Sequence, residues 1–452
     1  MDAVQNTAAD PFGPAEAAAA AAIERARQLL GAVDDVLPQV DGLYHDLHQH
    51  PELSGMEDRT SAKVTEHLDA AGFEVAAGVG GFGVVGLLTN GDGPVVALRG
   101  DMDALPIREE TGLPYASEVS VARDDGSTVG VMHACGHDMH TSCLVGTAAL
   151  LSNHRDAWQG TLFILAQPAE ETISGAAAML ADGLFTRFPR PDVVLGQHAT
   201  HARAGMVLHR PGPIMAASRN LRVRIFGKGG HGSSPHVTID PIAMAAQAIV
   251  QLQTIVSREI SPNDPAVVTV GSIHGGTRYN IVPPEVVLQL TTRGLTEAVM
   301  DRIQAAVERI VTAVCAAARA PREPEIAVIE HTYATVNDPA TSSLVRRVHA
   351  ALFRDDVVDY PEIIMGSEDF ALYGIPGPGR YEAPAIPTDF WFVGTVPADI
   401  WEHAPGTELL DKMRELPGPH TPFFAPEPAT SLRRGVEAMT AASLAHLDPP
   451  GR

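Results

Sequence analysis

Polar and apolar positions along this chain follow two different periodicities. Up to about residue 213, and again from about 326, apolar runs at 84–89, 95–99, 160–167, 193–196, 326–330 and 391–394 read as strands. Helical repeats stand between and around them, over 14–30 (Ile23, Ala26, Leu29 and Leu30 on one face), 37–49, 57–71, 141–153, 339–353 and 429–447. The helix at 37–49 stops at His50-Pro51, because a residue before proline is pushed out of the helical region. Strand, polar loop and helix recur, the signature of a doubly wound α/β domain.

Between 214 and 325 the pattern changes. Residues 218–227 alternate, with Leu221, Val223 and Ile225 set against Arg222 and Arg224. A helix at 241–257, strands at 266–273 and 286–292 and a helix at 296–320 follow, giving a β-α-β-β-α unit. Alternation predicts a sheet with one face packed and one open. The expected organisation is a disordered start at 1–14, one α/β domain from 15–213 and 326–452, and a smaller α+β domain inserted as 214–325. The Pro- and Gly-rich stretch 376–387 is expected at the surface.

A length of 452 residues exceeds what one hydrophobic core usually covers, which agrees with two domains. The formal net charge of −23, with no basic run, argues against nucleic-acid partners. Three cysteines, Cys135, Cys143 and Cys315, make no disulfide framework and suit a reducing compartment. The acidic N-terminus lacks the features of a signal peptide, and no span of about 20 apolar residues offers a membrane helix. A cytoplasmic protein acting on small molecules is the expectation.

Chemistry-bearing side chains concentrate in Met132-His133-Ala134-Cys135-Gly136-His137-Asp138-Met139-His140. Imidazole and thiolate are the usual ligands of borderline-soft ions such as zinc, and Cys135-x-His137 places two donors on one short segment. Glu170-Glu171, His198 and His420 supply further donors, and the loops at a carboxyl edge of the sheet are expected to bring them to one two-metal site. Adjacent carboxylates after a strand point in different directions. One can therefore bind metal while the other shuttles the proton of a bound water, although the pair would also suit a solvated helix start.

Asp101 and Asp103 could form a turn or cap, and Asp103 is better placed to accept a hydrogen bond from a ligand imidazole. Cys135 has a rival role as a nucleophile activated by His133 or His137, which would leave the other donors without purpose. Cys143 and Cys315 sit on apolar helix patterns and read as core.

Eight segments in order, HQHPELSGMEDRT, ALRGDMDALPI, MHACGHDMHT, AQPAEE, GKGGHGSSPH, GGTRYNIVPPE, MGSEDFALY and HTPFF, resemble the M20 metallopeptidase/amidohydrolase family. The similarity is to its aminoacylase, hippurate hydrolase and indole-acetyl-amino-acid hydrolase branch, and it runs from His48 to about Phe424. The resemblance implies a zinc-peptidase-like α/β catalytic domain with an inserted dimerisation or lid domain. It further implies Cys135, His137, Glu171, His198 and His420 as ligands of two divalent ions per subunit, with Glu170 as general base. His231 is similar to the histidine that one subunit's inserted domain lends to its partner's active site to steady the oxyanion. Asn280 is similar to a substrate- or oxyanion-contacting residue of the same domain. Asp138 resembles the bridging aspartate of other branches and is an alternative to Cys135 as the shared ligand.

The implied reaction is hydrolysis of N-acyl-L-amino acids by a homodimer. A thiolate ligand favours zinc, with manganese, cobalt or nickel able to support the same chemistry. Rival readings are a dipeptidase or carboxypeptidase of the same fold, a metal-bound binding protein without activity, and a cysteine hydrolase. An intact Glu170 speaks against the second of these, because a binder needs no base.

Overall fold

A computed structural model describes residues 13–122 and 126–449. The chain divides into two compact units, Met1–Gly212 with Asn337–Pro361 and Leu372–Arg452, and Pro213–Val336 with Glu362–Ala371. The disordered start expected at 1–14 falls outside the described residues as far as 12, and a helix is in place from Gly13. No helix among the described residues is long and apolar enough to cross a membrane.

The first unit is built on an eight-stranded mixed sheet. Its strands are β1 (Glu74–Val79), β2 (Gly83–Asn90), β3 (Val95–Asp101), β4 (Gly160–Gln167), β5 (Val193–Arg203), β6 (Val207–His209), β7 (Val357–Asp359) and β8 (Thr388–Val396), in the order β1-β2-β4-β3-β5-β8-β6-β7. The inner strands β4, β3, β5 and β8 run parallel to one another. Covered on both faces, they read as continuous apolar runs, and every residue of β8 is buried. Side-chain parity then sorts the two faces. Leu162, Ile164 and Ala166 of β4 join the main helical core. Phe163, pointing the other way, meets Phe185 and Phe188 with ring centroids 6.2 Å away in each case.

The helical layer comprises α1 (Gly13–Leu29), α2 (Leu37–Gln49), α3 (Asp58–Ala70), α4 (His137–Asn153), α5 (Pro339–Phe353) and α6 (Pro428–His446). Helix α4 is its axis, buried from His137 to Leu151. It can be central because Gly146 has no side chain: a Cβ there would stand 2.4 Å from Cγ2 of Val40 and 3.0 Å from Cγ2 of Val436, so α2 and α6 close directly onto the backbone. Helix α6 starts where Glu427 accepts the N–H groups of Ala429 and Thr430 and Pro428 presets the first turn. Arg25 of α1 donates to the carbonyls of Leu444, Leu447 and Asp448, tying the first helix to the last.

The second unit carries a four-stranded antiparallel sheet in the order Ala266–His274, Glu285–Gly294, Ala217–Phe226, Glu325–Thr332. Leu221, Val223 and Ile225 pack with Met244, Ala248, Ile303 and Val307 of the helices, while Arg224 on the opposite face pairs with Glu285 and Glu325. The expected β-α-β-β-α unit therefore has a sixth element. Glu325–Thr332 pairs with Ala217–Phe226, so residues 326–336, expected in the larger domain, belong with the insert, as do Glu362–Ala371. Its exposed, edge-strand pattern hides that membership from a reading by hydrophobicity.

Three other boundaries differ. The helix expected at 141 begins a full turn earlier, at His137. The helix expected over 241–257 breaks into Pro241–Leu252 and Thr254–Glu259, where the Thr254 hydroxyl bonds back to the Gln251 carbonyl. The stretch 376–387 is not wholly superficial, since Tyr381 and Ile386 are buried and the Tyr381 hydroxyl donates to the Tyr373 carbonyl.

Asp389 of β8 is fully buried and neither of its carboxylate oxygens has a hydrogen-bond partner. Burial pushes this carboxyl up to about 8. An unfolded aspartate ionises near 3.9, so between about pH 4 and pH 8 the unfolded chain has released a proton that the folded chain retains, and stability falls as pH rises. The slope is about 1.4 kcal/mol per pH unit across that window. Asp389→Asn should raise the melting temperature by several degrees at about pH 8 and change it little at about pH 4. Melting curves that differ from wild type equally at both pH values would contradict a neutral, buried Asp389.

Candidate metal centre

Four segments of the first unit deliver the donors. Cys135 precedes α4, His137 opens it, Glu170 and Glu171 lie on the loop after β4, His198 is within β5, and His420 sits ahead of α6. His198, expected at the end of a strand, lies inside one, because the strand runs past the apolar stretch 193–196 to Arg203. Cys135 Sγ lies 3.4 Å from His198 Nε2 and 3.3 Å from His420 Nε2. Glu171 Oε1 lies 3.4 Å from His420 Nε2 and 3.9 Å from His137 Nε2, with Glu170 Oε2 at 4.0 Å from the latter. Three interlocking sets, Cys135–His137–His198, Cys135–Glu171–His420 and His137–Glu170–Glu171, each keep their donor atoms within 4.8 Å.

Local backbone makes this convergence possible. Gly136 caps α4 at φ 81°, and a Cβ there would stand 2.9 Å from the Ala199 side chain, so only glycine lets the turn of Cys135 approach β5. The glutamate loop bends through Ala169 at φ 51° and Ile173 at φ 53°, and His420 itself is at φ 65°. Left-handed residues without glycine persist only where surroundings hold them. Here Ala169 N–H donates to Glu57 Oε1 (2.7 Å), and His420 N–H donates to the Ala134 carbonyl (2.8 Å).

Asp103 supplies the rest of the restraint. Its Oδ1 accepts from His137 Nδ1 (3.2 Å) and Glu170 N–H (3.1 Å), and its Oδ2 from Glu171 N–H (2.9 Å) and the Ser54 hydroxyl (2.6 Å). With Nδ1 committed to Asp103, His137 turns its Nε2 inward. His198 Nδ1 likewise donates to the Ala199 carbonyl (2.6 Å), leaving its Nε2 toward Cys135.

His137 Nε2 and Glu171 Oε1 are both buried without a hydrogen-bond partner. Orphaned buried polar atoms are rare and costly, and these two face the same donors. Burial disfavours charge on His137, but Asp101 and Asp103 outweigh it and push the imidazole up to about 10. Burial and then Glu171, Glu170 and Asp101 hold the Cys135 thiol well above its ordinary range. Clustered buried carboxylates, unpartnered donor atoms and a suppressed thiolate all suit bound cations. These surroundings speak against the nucleophile reading of Cys135, since reactive thiols sit where the thiolate is favoured. Cys143 and Cys315 are free, buried core residues.

Asp138 is turned elsewhere. Its Oδ2 accepts from His48 Nδ1 (2.7 Å) and its Oδ1 from the Met139 N–H (2.8 Å), and it joins none of the donor sets among the described residues. Of the two, Cys135 alone belongs to the donor sets among the described residues. His48 also contacts Glu109 (3.1 Å), so a buried imidazole links α2 to the loop whose Glu110 N–H donates to the Pro422 carbonyl beside His420. Nothing in spacing singles out His48, Glu57 or Glu109, whose partners are far along the chain. Asp101, expected as a turn or cap, is instead held by Arg99 (2.5 Å) and fully buried.

His231 and Asn280 lie in the second unit, His231 on a short strand and Asn280 in the turn just before the strand that pairs with it. His231 pairs with Ile281, and Gly232 N–H donates to the Asn280 carbonyl (2.8 Å). Ser233 N–H donates to His231 Nδ1 (3.1 Å), so the neutral ring carries its proton on the exposed Nε2.

Comparison with known proteins places these features. The sequence profile of peptidase family M20/M25/M40 matches residues 97–413. An N-acetyl-L-cysteine deacetylase of Bacillus subtilis (strain 168) is 37% identical over 368 residues, covering 81% of this chain and 82% of that protein. Thermostable carboxypeptidase 1 of Saccharolobus solfataricus is 36% identical, covering 79% of this chain and 88% of that protein. Among solved structures, the YXEP protein of Bacillus subtilis, described as a dinuclear metal binding peptidase of the M20 family, superposes with a TM-score of 0.69 at 28% identity, covering 91% of this chain and 99% of that one. Over these spans and identities the chain belongs to peptidase family M20/M25/M40, and it is a hydrolytic enzyme.

Proposed function

We propose that the protein hydrolyses the amide bond of N-acyl-L-amino acids to a carboxylic acid and a free amino acid. The observation that carries this is the convergence of Cys135, His137, Glu171, His198 and His420, two of them with orphaned buried atoms, beside a further carboxylate on Glu170. Those five side chains would hold two divalent ions, zinc by preference for the thiolate and manganese, cobalt or nickel as alternatives. When bound, the ions lower the pKa of water and polarise a carbonyl oxygen.

Glu170 then has a defined task. Its carboxylate takes a proton from the attacking water as the C–O bond forms and delivers it to the amide nitrogen as the C–N bond breaks. His231, with its Nε2–H exposed, would donate to the oxygen that gains charge in the active site of the partner subunit, and Asn280 beside it would contact the substrate. A homodimer is part of this reading. It is supported by Ala266–His274, an outer strand with an open edge, and by the exposed apolar side chains of Ile273 and Val250 in the same unit. A cytoplasmic setting is supported by three free cysteines, and a small-molecule rather than nucleic-acid partner by the net charge of −23.

The deacetylase among the relatives supports an acyl amino acid substrate, and the carboxypeptidase supports a second reading in which the scissile bond is a C-terminal peptide bond. A panel of N-acyl amino acids and dipeptides, assayed before and after chelation and after return of zinc or manganese, separates them. Release of amino acid from the acyl substrates that vanishes with chelator and returns with one ion is expected. Activity on peptides alone would move the assignment to a peptidase.

Glu170→Gln should lower kcat by about 100- to 10,000-fold while metal content stays at the wild-type level. Full activity in that variant would remove Glu170 as the base. Mixing His231→Ala subunits with Glu170→Gln subunits should restore partial activity through hybrid dimers; verified exchange without recovery would place His231 outside the partner's reaction.

A further inference from the structure

We propose that His140 is a positioning residue that sets the orientation and tautomer of His198 through the backbone of Ala199. The inference rests on the reading of His198 as a metal ligand and adds a residue to it.

The sheet has a gap beside Ala199. Strand β3 pairs with β5 only as far as Arg99 opposite Gly196, whereas β5 continues to Arg203. Backbone groups of β5 that point toward β3 beyond Gly196 lose their ladder partners, and buried backbone groups must find others. Ala199 is such a residue, and its two polar groups meet two imidazoles. Its N–H donates to His140 Nε2 (2.6 Å), and its carbonyl accepts from His198 Nδ1 (2.6 Å).

Acceptance of a backbone N–H leaves only one tautomer for a neutral His140, with the proton on Nδ1. That proton goes to Asp101 Oδ1 (2.5 Å), and Asp101 is fixed in turn by Arg99 on Oδ2 (2.5 Å) and by the Thr141 hydroxyl on its carbonyl (2.7 Å). Every member of this chain, Arg99, Asp101, His140 and His198, is buried. His140 also stands three residues after His137, one turn along α4, so the helix that presents one donor steadies the strand that presents another. The order Arg99–Asp101–His140–Ala199–His198 therefore ends with a bare Nε2 facing Cys135 Sγ at 3.4 Å.

The two amide replacements of histidine separate this role from general packing. His140→Gln can place an oxygen near the Nε2 position and keep the Ala199 contact. His140→Asn reaches only the Nδ1 position, keeping Asp101 and losing Ala199. In the metal-free protein, the side-chain nitrogen resonances of His198 should report a protonated Nδ1 in wild type and in His140→Gln, with loss of that single state in His140→Asn. On metal titration, His140→Asn should bind one of two ions about 10- to 100-fold more weakly while the other ion is unaffected, and His140→Gln should bind near the wild-type level. Circular dichroism and melting curves establish that both variants are folded. Identical His198 signals and identical ion affinities in wild type and His140→Asn would overturn the inference. A wild-type protein that binds no second ion would instead overturn the ligand reading on which it rests, and the metal-free resonances would still decide whether His140 sets the tautomer.

Discussion

The Asp103 carboxylate is the constraint on which the centre depends. Four donors from three segments end on its two oxygens: the His137 ring, the Glu170 and Glu171 amides and the Ser54 hydroxyl. A single buried group thereby fixes which nitrogen of His137 faces the other donors and where the glutamate loop stands. Charge-assisted hydrogen bonds of this kind are stronger than neutral ones, and inside the protein they rigidify what they join. The loop needs that restraint, because it passes through two left-handed residues that are not glycine.

Around that anchor the centre is assembled with an excess of negative charge. Asp101 is compensated by Arg99 and accepts a hydrogen bond from His140, whereas Glu170, Glu171 and the Cys135 sulfur crowd the inward nitrogens of His137 and His198. The arrangement holds a suppressed thiolate and orphaned atoms, and bound cations would turn each into a ligand. Chemistry and folding are coupled here in the ordinary sense that ligand binding to the native state stabilises it.

Much of this was legible along the chain, and the exceptions have physical causes. Alternation at Leu221, Val223 and Ile225 marks the packed face of the inserted sheet because one face of that sheet meets helices and the other does not. The donor residues stand out by type and by their places after strands. The first turn of α4 does not, since His137 to His140 are polar yet buried on every side, and a hydrophobic period cannot register buried polar residues. Glu325–Thr332 is an exposed edge strand and reads with the wrong domain for a similar reason. Asp138 looks like a ligand in sequence, and only the distant His48 shows that its carboxylate is already engaged. His140 lay in full view beside the donors, but its role depends on β5 outrunning β3, which no local pattern reveals.

In the proposed centre one cluster of five side chains would hold two ions with Cys135 between them. Anomalous diffraction from zinc-loaded crystals at the metal absorption edge tests this arrangement. Two peaks about 3.5–4 Å apart are expected, both within bonding distance of Cys135 Sγ. A single peak, or two peaks with Asp138 rather than Cys135 between them, would contradict it.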